Sequence, residues 1–194
     1  TLLCCGAAWA GAPVRDIRAE EAGRVQDSAV LRRAAYSRDA RTRAAAFRAM
    51  GRVQSPAYLR ALAVGLYDRD RAVRAEAVFA LGQTAMPDSL GDADRDKVAS
   101  SLAGLARKAP ASLRPEAAAA LGKTGGRAAE RTLAGLLSSA DGRLRGEAAL
   151  ALFHLKFLKR VPDHSTATVS ALTAVFTDAL TRVSVGAAAP NWPR

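Results

Sequence analysis

The chain has 194 residues and a formal net charge of +11, from 29 Lys+Arg against 18 Asp+Glu, a length that allows one domain or one repeat array with a sizeable core. Alanine accounts for 46 residues and aromatics for only 5%, which favours helices and excludes a sandwich or barrel built from β-branched and aromatic residues. With 49% apolar and 24% charged residues, wholesale disorder is excluded too.

The first stretch, Thr1 to Gly11, is small and apolar, and no charge precedes Arg15. It resembles the end of a secretory signal peptide, with Ala8-Trp9-Ala10 in the form of a cleavage site and Gly11-Ala-Pro13 opening the mature chain. Two alternatives stay open: a lipoprotein with the lipid on Cys5, and an ordinary frayed terminus. Residues 1–12 are therefore expected to be a signal-peptide remnant. The protein is expected in the periplasm or cell envelope, with the cytoplasm as the alternative. Cys4 and Cys5 are neighbours and bridge each other poorly. No cysteine follows them, so a disulfide framework or a Cys-type zinc site is excluded from the rest of the chain. No apolar run reaches about 18 residues, so no transmembrane helix is expected.

An internal repeat organises the middle. Arg43-Ala-Ala-Ala46-Phe-Arg-Ala49-Met50-Gly51 returns as Arg74-Ala-Glu-Ala77-Val-Phe-Ala80-Leu81-Gly82, as Arg114-Pro-Glu-Ala117-Ala-Ala-Ala120-Leu121-Gly122 and as Arg145-Gly-Glu-Ala148-Ala-Leu-Ala151-Leu152-Phe153. The arginines lie 31, 40 and 31 residues apart, a solenoid period with one insertion. Ala46, Phe47 and Met50, like Ala77, Val78 and Leu81, fall on one stripe of an amphipathic helix. Asp39, Asp70 and Asp141 stand where an N-cap belongs, with Pro110 in their place in the third unit. Gly51, Gly82 and Gly122 are expected to end their helices in a left-handed conformation. A first helix precedes each of these second helices, for example one capped by Ser55 with Pro56 at its first position. The expectation is an all-α, right-handed solenoid of four to five stacked antiparallel helix pairs over 13–180. The pairs span about 28–51, 56–83, 95–122 and 127–155, with a partial fifth at 165–180, and residues 181–194 form a Pro/Gly/Ala-rich tail. The repeated alanines allow close helix approach, and stacked neighbours bury stripes that one pair cannot bury alone.

The D-x-x-x-R-x-x-A-x-x-A-L-G unit resembles HEAT repeats, particularly the short bacterial HEAT-like type, over about 28–155 and more loosely over 165–180. The resemblance implies a structural hydrogen-bonding ladder between neighbouring units, formed here by Asp39, Arg43, Asp70, Arg74, Arg114, Asp141 and Arg145. It also implies that the second helices line the concave, binding side. The chain is further similar to the N-terminal part of bacterial HEAT-repeat proteins that carry a cyclophilin-type peptidyl-prolyl isomerase domain downstream. No catalytic residue of such a domain lies in this sequence.

Fragments that look catalytic fail on spacing. Gly122-Lys123-Thr124 lacks the earlier glycine of a phosphate loop, where Ala117 stands, and a helix rather than a strand precedes it. Asp92-Ala-Asp94-Arg-Asp96 has the spacing of a calcium loop, but Lys97 and Ala103 replace its glycine and its glutamate. His154 and His164 have no nucleophile and carboxylate beside them. Catalysis, a metal and a cofactor are not expected.

Surface rows remain. Positions just after the repeat glycine read Arg52, Gln83, Lys123 and His154, and a second row holds Arg48 and Phe79, then Ala119 and Leu150. These are the candidate recognition residues, although Phe79 and Leu150 also suit packing between units. The expected function is a non-catalytic scaffold that binds another protein, with the isomerase module as one alternative. Nucleic-acid binding is another, because Val30 to Arg74 holds eleven arginines against Asp39, Asp68 and Asp70. Tyr58 and Tyr67 are expected to pack rather than stack on bases. The basic balance also fits a GC-rich coding sequence, since 24 of its residues are Arg and five are Lys.

Overall fold

The fold is described from a computed structural model covering residues 14–86, 88 and 90–186. The expected signal-peptide remnant at 1–12 and the last part of the tail, 187–194, lie outside these residues. Among the described residues the chain is helical throughout, with no strand. The helices are α1 (Val14–Ala22), α2 (Ala29–Ala35), α3 (Ala40–Val53), α4 (Leu59–Gly65, after a 3-10 turn at Pro56–Tyr58), α5 (Arg71–Thr84), α6 (Asp92–Lys108), α7 (Arg114–Leu121), α8 (Gly126–Leu136), α9 (Gly142–Phe157) and α10 (Thr166–Gly186). The architecture is an α-solenoid of helix pairs. Contacts divide the chain into two compact units, Thr1–Leu102 and Ala103–Arg194.

In the first unit α3 packs on α5, α2 and α1, and α4 packs on α5. The stripes read from the sequence are buried: Ala46, Phe47 and Met50 on α3 meet Ala77, Val78 and Leu81 on α5, with Leu31 and Leu62 completing the core. Burial of each large side chain contributes about 1.5–3 kcal/mol. The helix starts are made by the expected caps. Asp39 accepts from the Thr42 amide at 2.8 Å, Asp70 from Ala72 at 2.8 Å, and Ser55 from Ala57 at 3.3 Å. Tyr58 is buried, donating to the Val25 carbonyl at 2.5 Å and accepting from the Ser28 amide at 2.8 Å. Tyr67, expected to pack, is instead 84% exposed. Arg95 donates to the carbonyls of Ala85 and Leu90, and so holds the segment ahead of α6.

In the second unit α7 and α8 both pack on α9, and α10 packs on α8. Leu113, Leu121, Leu133, Leu144, Leu152 and Leu155 form the core. Asp141 caps α9 through the amides of Arg143 and Leu144. α7, which has Pro110 where an Asp would stand, starts at Leu113 without a side-chain cap. α10 runs to Gly186, into the stretch read as tail.

The repeat glycines take a different role from the expected one. Gly51 and Gly82 lie inside helices that continue to Val53 and Thr84, and Gly122 has an ordinary helical φ of −60°. A Cβ on Gly51 would lie 2.6 Å from the Cα of Ala80, and one on Gly122 would lie 2.7 Å from the Cα of Ala151. Both contacts reach 29 residues ahead, to the same alanine of the next unit. The glycine therefore permits backbone-to-backbone approach of consecutive second helices. In α3 the left-handed cap is Gln54, with φ of 61°.

Candidate functional site

The recurring arginines were expected to form a ladder between units with the aspartates. The aspartates serve their own helix starts instead, and the arginines hold the turn in front of them. Arg43 donates to the carbonyls of Ser37 and Arg38, Arg74 to those of Asp68 and Arg69, Arg145 to those of Ser139 and Ala140, and Arg114 to that of Ala109. Of these arginines, Arg43 also makes a link from pair to pair. Arg43 forks onto Asp68, with Nε to Oδ2 at 2.7 Å and Nη2 to Oδ1 at 2.8 Å. Its hydrogen bonds hold the Asp68 carboxyl below the usual carboxylate range, and in turn raise the Arg43 pKa. The third and fourth units carry Lys108 and Ser139 where Asp68 stands, so neither can accept such a fork.

With their backbones pinned in this way, α3 and α5 present the candidate row residues of the first unit on one face. Arg52, Phe79 and Gln83 line an open cleft of about 760 Å³ together with Arg18, Glu21, Ala22, Arg24 and Gln54. A second hollow of about 340 Å³, lined by Arg48, Arg52, Ala75, Glu76 and Phe79, shares two of these residues and makes one trough with it. The arginines are held from behind. Arg52 Nη1 donates to Glu21 Oε1 at 2.6 Å, and Arg48 Nε donates to Glu76 Oε2 at 3.1 Å. The Glu76 hydrogen bond raises the Arg48 pKa further. Gln54 Nε2 donates to the Gln83 carbonyl at 3.1 Å. Phe79 is 37% exposed between the arginines, so it does not serve solely as core.

The second unit places its candidates in different surroundings. Lys123 is half-buried, and burial pushes its ammonium pKa down. His154 is half-buried, its Nδ1 has no hydrogen-bond partner among the described residues, and its ring lies 6.0 Å from that of Phe153. Phe153 in turn stacks on Phe157 at 5.9 Å, and both rings, with Leu150, are exposed on α9. This face is apolar where the α3–α5 face is charged.

Two features escaped the sequence reading. The contribution of α1 to the trough is one. Arg15 and Gly23 stand eight apart, as Arg43 and Gly51 do, and that spacing was the available signal. The other is Glu130 on α8, only 1% exposed. It accepts from the Ser165 amide at 2.7 Å and from Arg127 at 2.6 Å, with His164 Nδ1 3.4 Å away. Burial alone would raise its pKa, but the Ser165 amide, Arg127 and the Thr168 hydroxyl together hold it at about 2. It is an anchor for the start of α10, and no pattern local to residue 130 announces it.

Among the described residues no helix is long and apolar enough to cross a membrane. A family model of HEAT repeats matches residues 28–102. The crystal structure of an engineered protein from the Northeast Structural Genomics Consortium is similar, with a TM-score of 0.53 and 22% identity, over 91% of this chain and 86% of that one. At that identity the likeness is one of fold. No curated protein matches the chain. HEAT repeats generally serve as protein-interaction scaffolds, and their solenoids are typically non-catalytic. Residues 28–102 are thus similar to HEAT repeats, and the helix pairs and the shared fold are those of an α-solenoid.

Proposed function

We propose that the protein is a non-catalytic scaffold that binds another protein through the trough on α1, α3 and α5. The observation that carries this is Phe79: a large apolar side chain, 37% exposed, in a cleft of about 760 Å³ bordered by arginines that two glutamates hold in place. An aromatic anchor among pre-positioned arginines is the composition of an interface hot spot, where a few side chains carry most of the affinity. The close Gly51–Ala80 crossing and the Arg43–Asp68 fork keep the two helices from shifting when a partner seats. The ordering cost of binding then falls mainly on the partner.

The test is site-specific photocross-linking in the source cell. A photoreactive residue at Gln83 lies in the trough, whereas one at the exposed Val64 on α4 lies outside its lining. A partner should cross-link at 83 and not at 64, and the band should vanish in Phe79→Ala, with an affinity loss of roughly thirtyfold for the purified pair. A partner captured equally at both positions, or unaffected by Phe79→Ala, puts the interaction surface elsewhere.

A further inference from the structure

The trough's charges specify the chemistry of its occupant. Four guanidinium groups border it, from Arg18, Arg24, Arg48 and Arg52, against the two carboxylates of Glu21 and Glu76. Both carboxylates are engaged, Glu21 by Arg52 and Glu76 by Arg48. Arg24 reaches only the Val53 carbonyl, at 3.5 Å, and Arg18 has no hydrogen bond or ion pair among the described residues. Two positive charges are thus left over around an exposed phenyl ring. The side-chain amide of Gln83 adds a donor and an acceptor that no described residue uses.

Resting on the reading that this trough binds protein, we infer that its occupant is an acidic segment in which an apolar side chain is flanked by two carboxylates. The apolar side chain covers Phe79, and the carboxylates meet Arg18 and Arg24. Forked Arg–carboxylate contacts are the strong, directional kind. Gln83 can pair with the segment's backbone, which a strand or turn lying in the trough would otherwise leave partly unsatisfied.

A nucleic acid fits this pattern less well. A phosphodiester chain brings a charge at every step and needs an uninterrupted run of cations. Here Glu21 and Glu76 sit among the arginines, well within a Debye length, where salt does not screen their repulsion. Phe79 is also the only aromatic side chain lining the trough among the described residues, too few for a succession of stacked bases.

Fluorescence anisotropy with four labelled probes on the full chain tests the inference. The first is a Gly/Ser-flanked peptide with a Glu-Phe-Glu core. The others are its Gln-Phe-Gln and Glu-Ala-Glu counterparts and an oligodeoxythymidine of about 16 nucleotides, the upper end of one strand-binding site. The Glu-Phe-Glu peptide should bind at least about tenfold tighter than any of the other three, and more weakly as salt rises. Phe79→Ala and Arg18→Ser should each weaken it about fivefold or more. Arg18→Ser removes no intramolecular partner, so its fold, followed by circular dichroism, should be unchanged. Equal binding of the Gln-Phe-Gln peptide overturns the inference, and so does tighter binding of the oligonucleotide. If the Gln83 cross-link persists while the Glu-Phe-Glu peptide shows no preference, the acidic chemistry is wrong and the interaction surface stands. If the cross-link fails as well, both fall.

Discussion

The unit ending at Leu102 and the unit beginning at Ala103 cross their second helices in the same way and fasten the crossing differently. In both, a glycine of one second helix meets an alanine backbone of the next, Gly51 on Ala80 and Gly122 on Ala151. The first unit adds a buried fork from Arg43 to Asp68, caps both α3 and α5 with aspartates, and faces outward with arginines around Phe79. The second leaves α7 without a side-chain cap, spends its buried charge on Glu130 beneath α10, and faces outward with Leu150, Phe153 and Phe157. One backbone solution therefore carries two polar fastenings and two surface chemistries. The repeat motif specifies the crossing, and the residues between repeated positions specify the chemistry of the surface.

The largest expected effect separates Arg43 from Arg74, which share a repeat position and a grip on the preceding turn. Arg43 alone also holds Asp68, with little solvent reaching either side chain. Arg43→Ala leaves that carboxylate half-compensated and should cost about 3 kcal/mol or more, whereas Arg74→Ala should cost about 1 kcal/mol. Thermal unfolding of both variants measures this, and equal losses would show that the fork contributes nothing. Because Arg43 depresses the Asp68 pKa, its stabilisation is complete above the ordinary carboxylate range. It is lost as pH falls through the lowered value. In strong acid the deficit of Arg43→Ala should therefore shrink to about that of Arg74→Ala, because the bonds from Arg43 to the Ser37 and Arg38 carbonyls do not titrate.

Next comes the shared crossing. Gly51→Ala and Gly122→Ala each place a methyl group within 2.7 Å of a neighbouring backbone carbon, which no rotamer change can relieve. Overpacking of this kind costs about 1–3 kcal/mol and outweighs the helix-propensity gain of alanine. A fall in Tm of several degrees in both variants would establish one crossing in two units. A fall in only one would break the equivalence.

The second unit's own fastening should matter locally. Glu130→Gln keeps the shape and an acceptor for the Ser165 amide but loses the charge that Arg127 meets. Its cost should be on the order of 2 kcal/mol, read as faster hydrogen exchange in the first turn of α10 with little change in α3 or α5. The folded pKa of about 2 lies below the ordinary value of 4.5. The contribution is accordingly present above about pH 4.5 and lost as pH falls toward 2. Wild-type α10 should lose protection in that window, and Glu130→Gln should not change there.

Much of this was readable in the chain because it is local. The Asp39, Asp70 and Asp141 caps and the Ala46–Phe47–Met50 stripe depend on residues within a turn or two of each other. The meaning of Gly51 was not local. A glycine near a helix end suits a left-handed cap and a close crossing equally well, and the deciding atom belongs to Ala80 in the next unit. Distance in sequence hid the rest in the same way. The acceptor of Arg43 is 25 residues on, the partner of Arg52 is 31 residues back on α1, and the Ser165 amide that Glu130 holds is 35 residues on. Arg52, Phe79 and Gln83 were identified as surface by register, but the trough that joins them needed the helix before the first matched repeat.

The smallest prediction sharpens the reading of the glycines, because it reverses the sign. Gly146 lies on α9 between Arg145 and Glu147, and a Cβ there would meet nothing within 4 Å. Alanine at that site gains helix propensity and reduces the freedom of the unfolded chain, with no neighbour to displace, so Gly146→Ala should stabilise by about 0.5–1 kcal/mol. Gly122→Ala, in the same unit, should destabilise. Opposite shifts in Tm for the same chemical change would locate the constraint in the neighbouring helix, since the added methyl and the helical backbone are common to both. If Gly122→Ala also stabilised, helix α9 could withdraw from α7 at small cost, and the close crossing would not be what selects glycine at that repeat position.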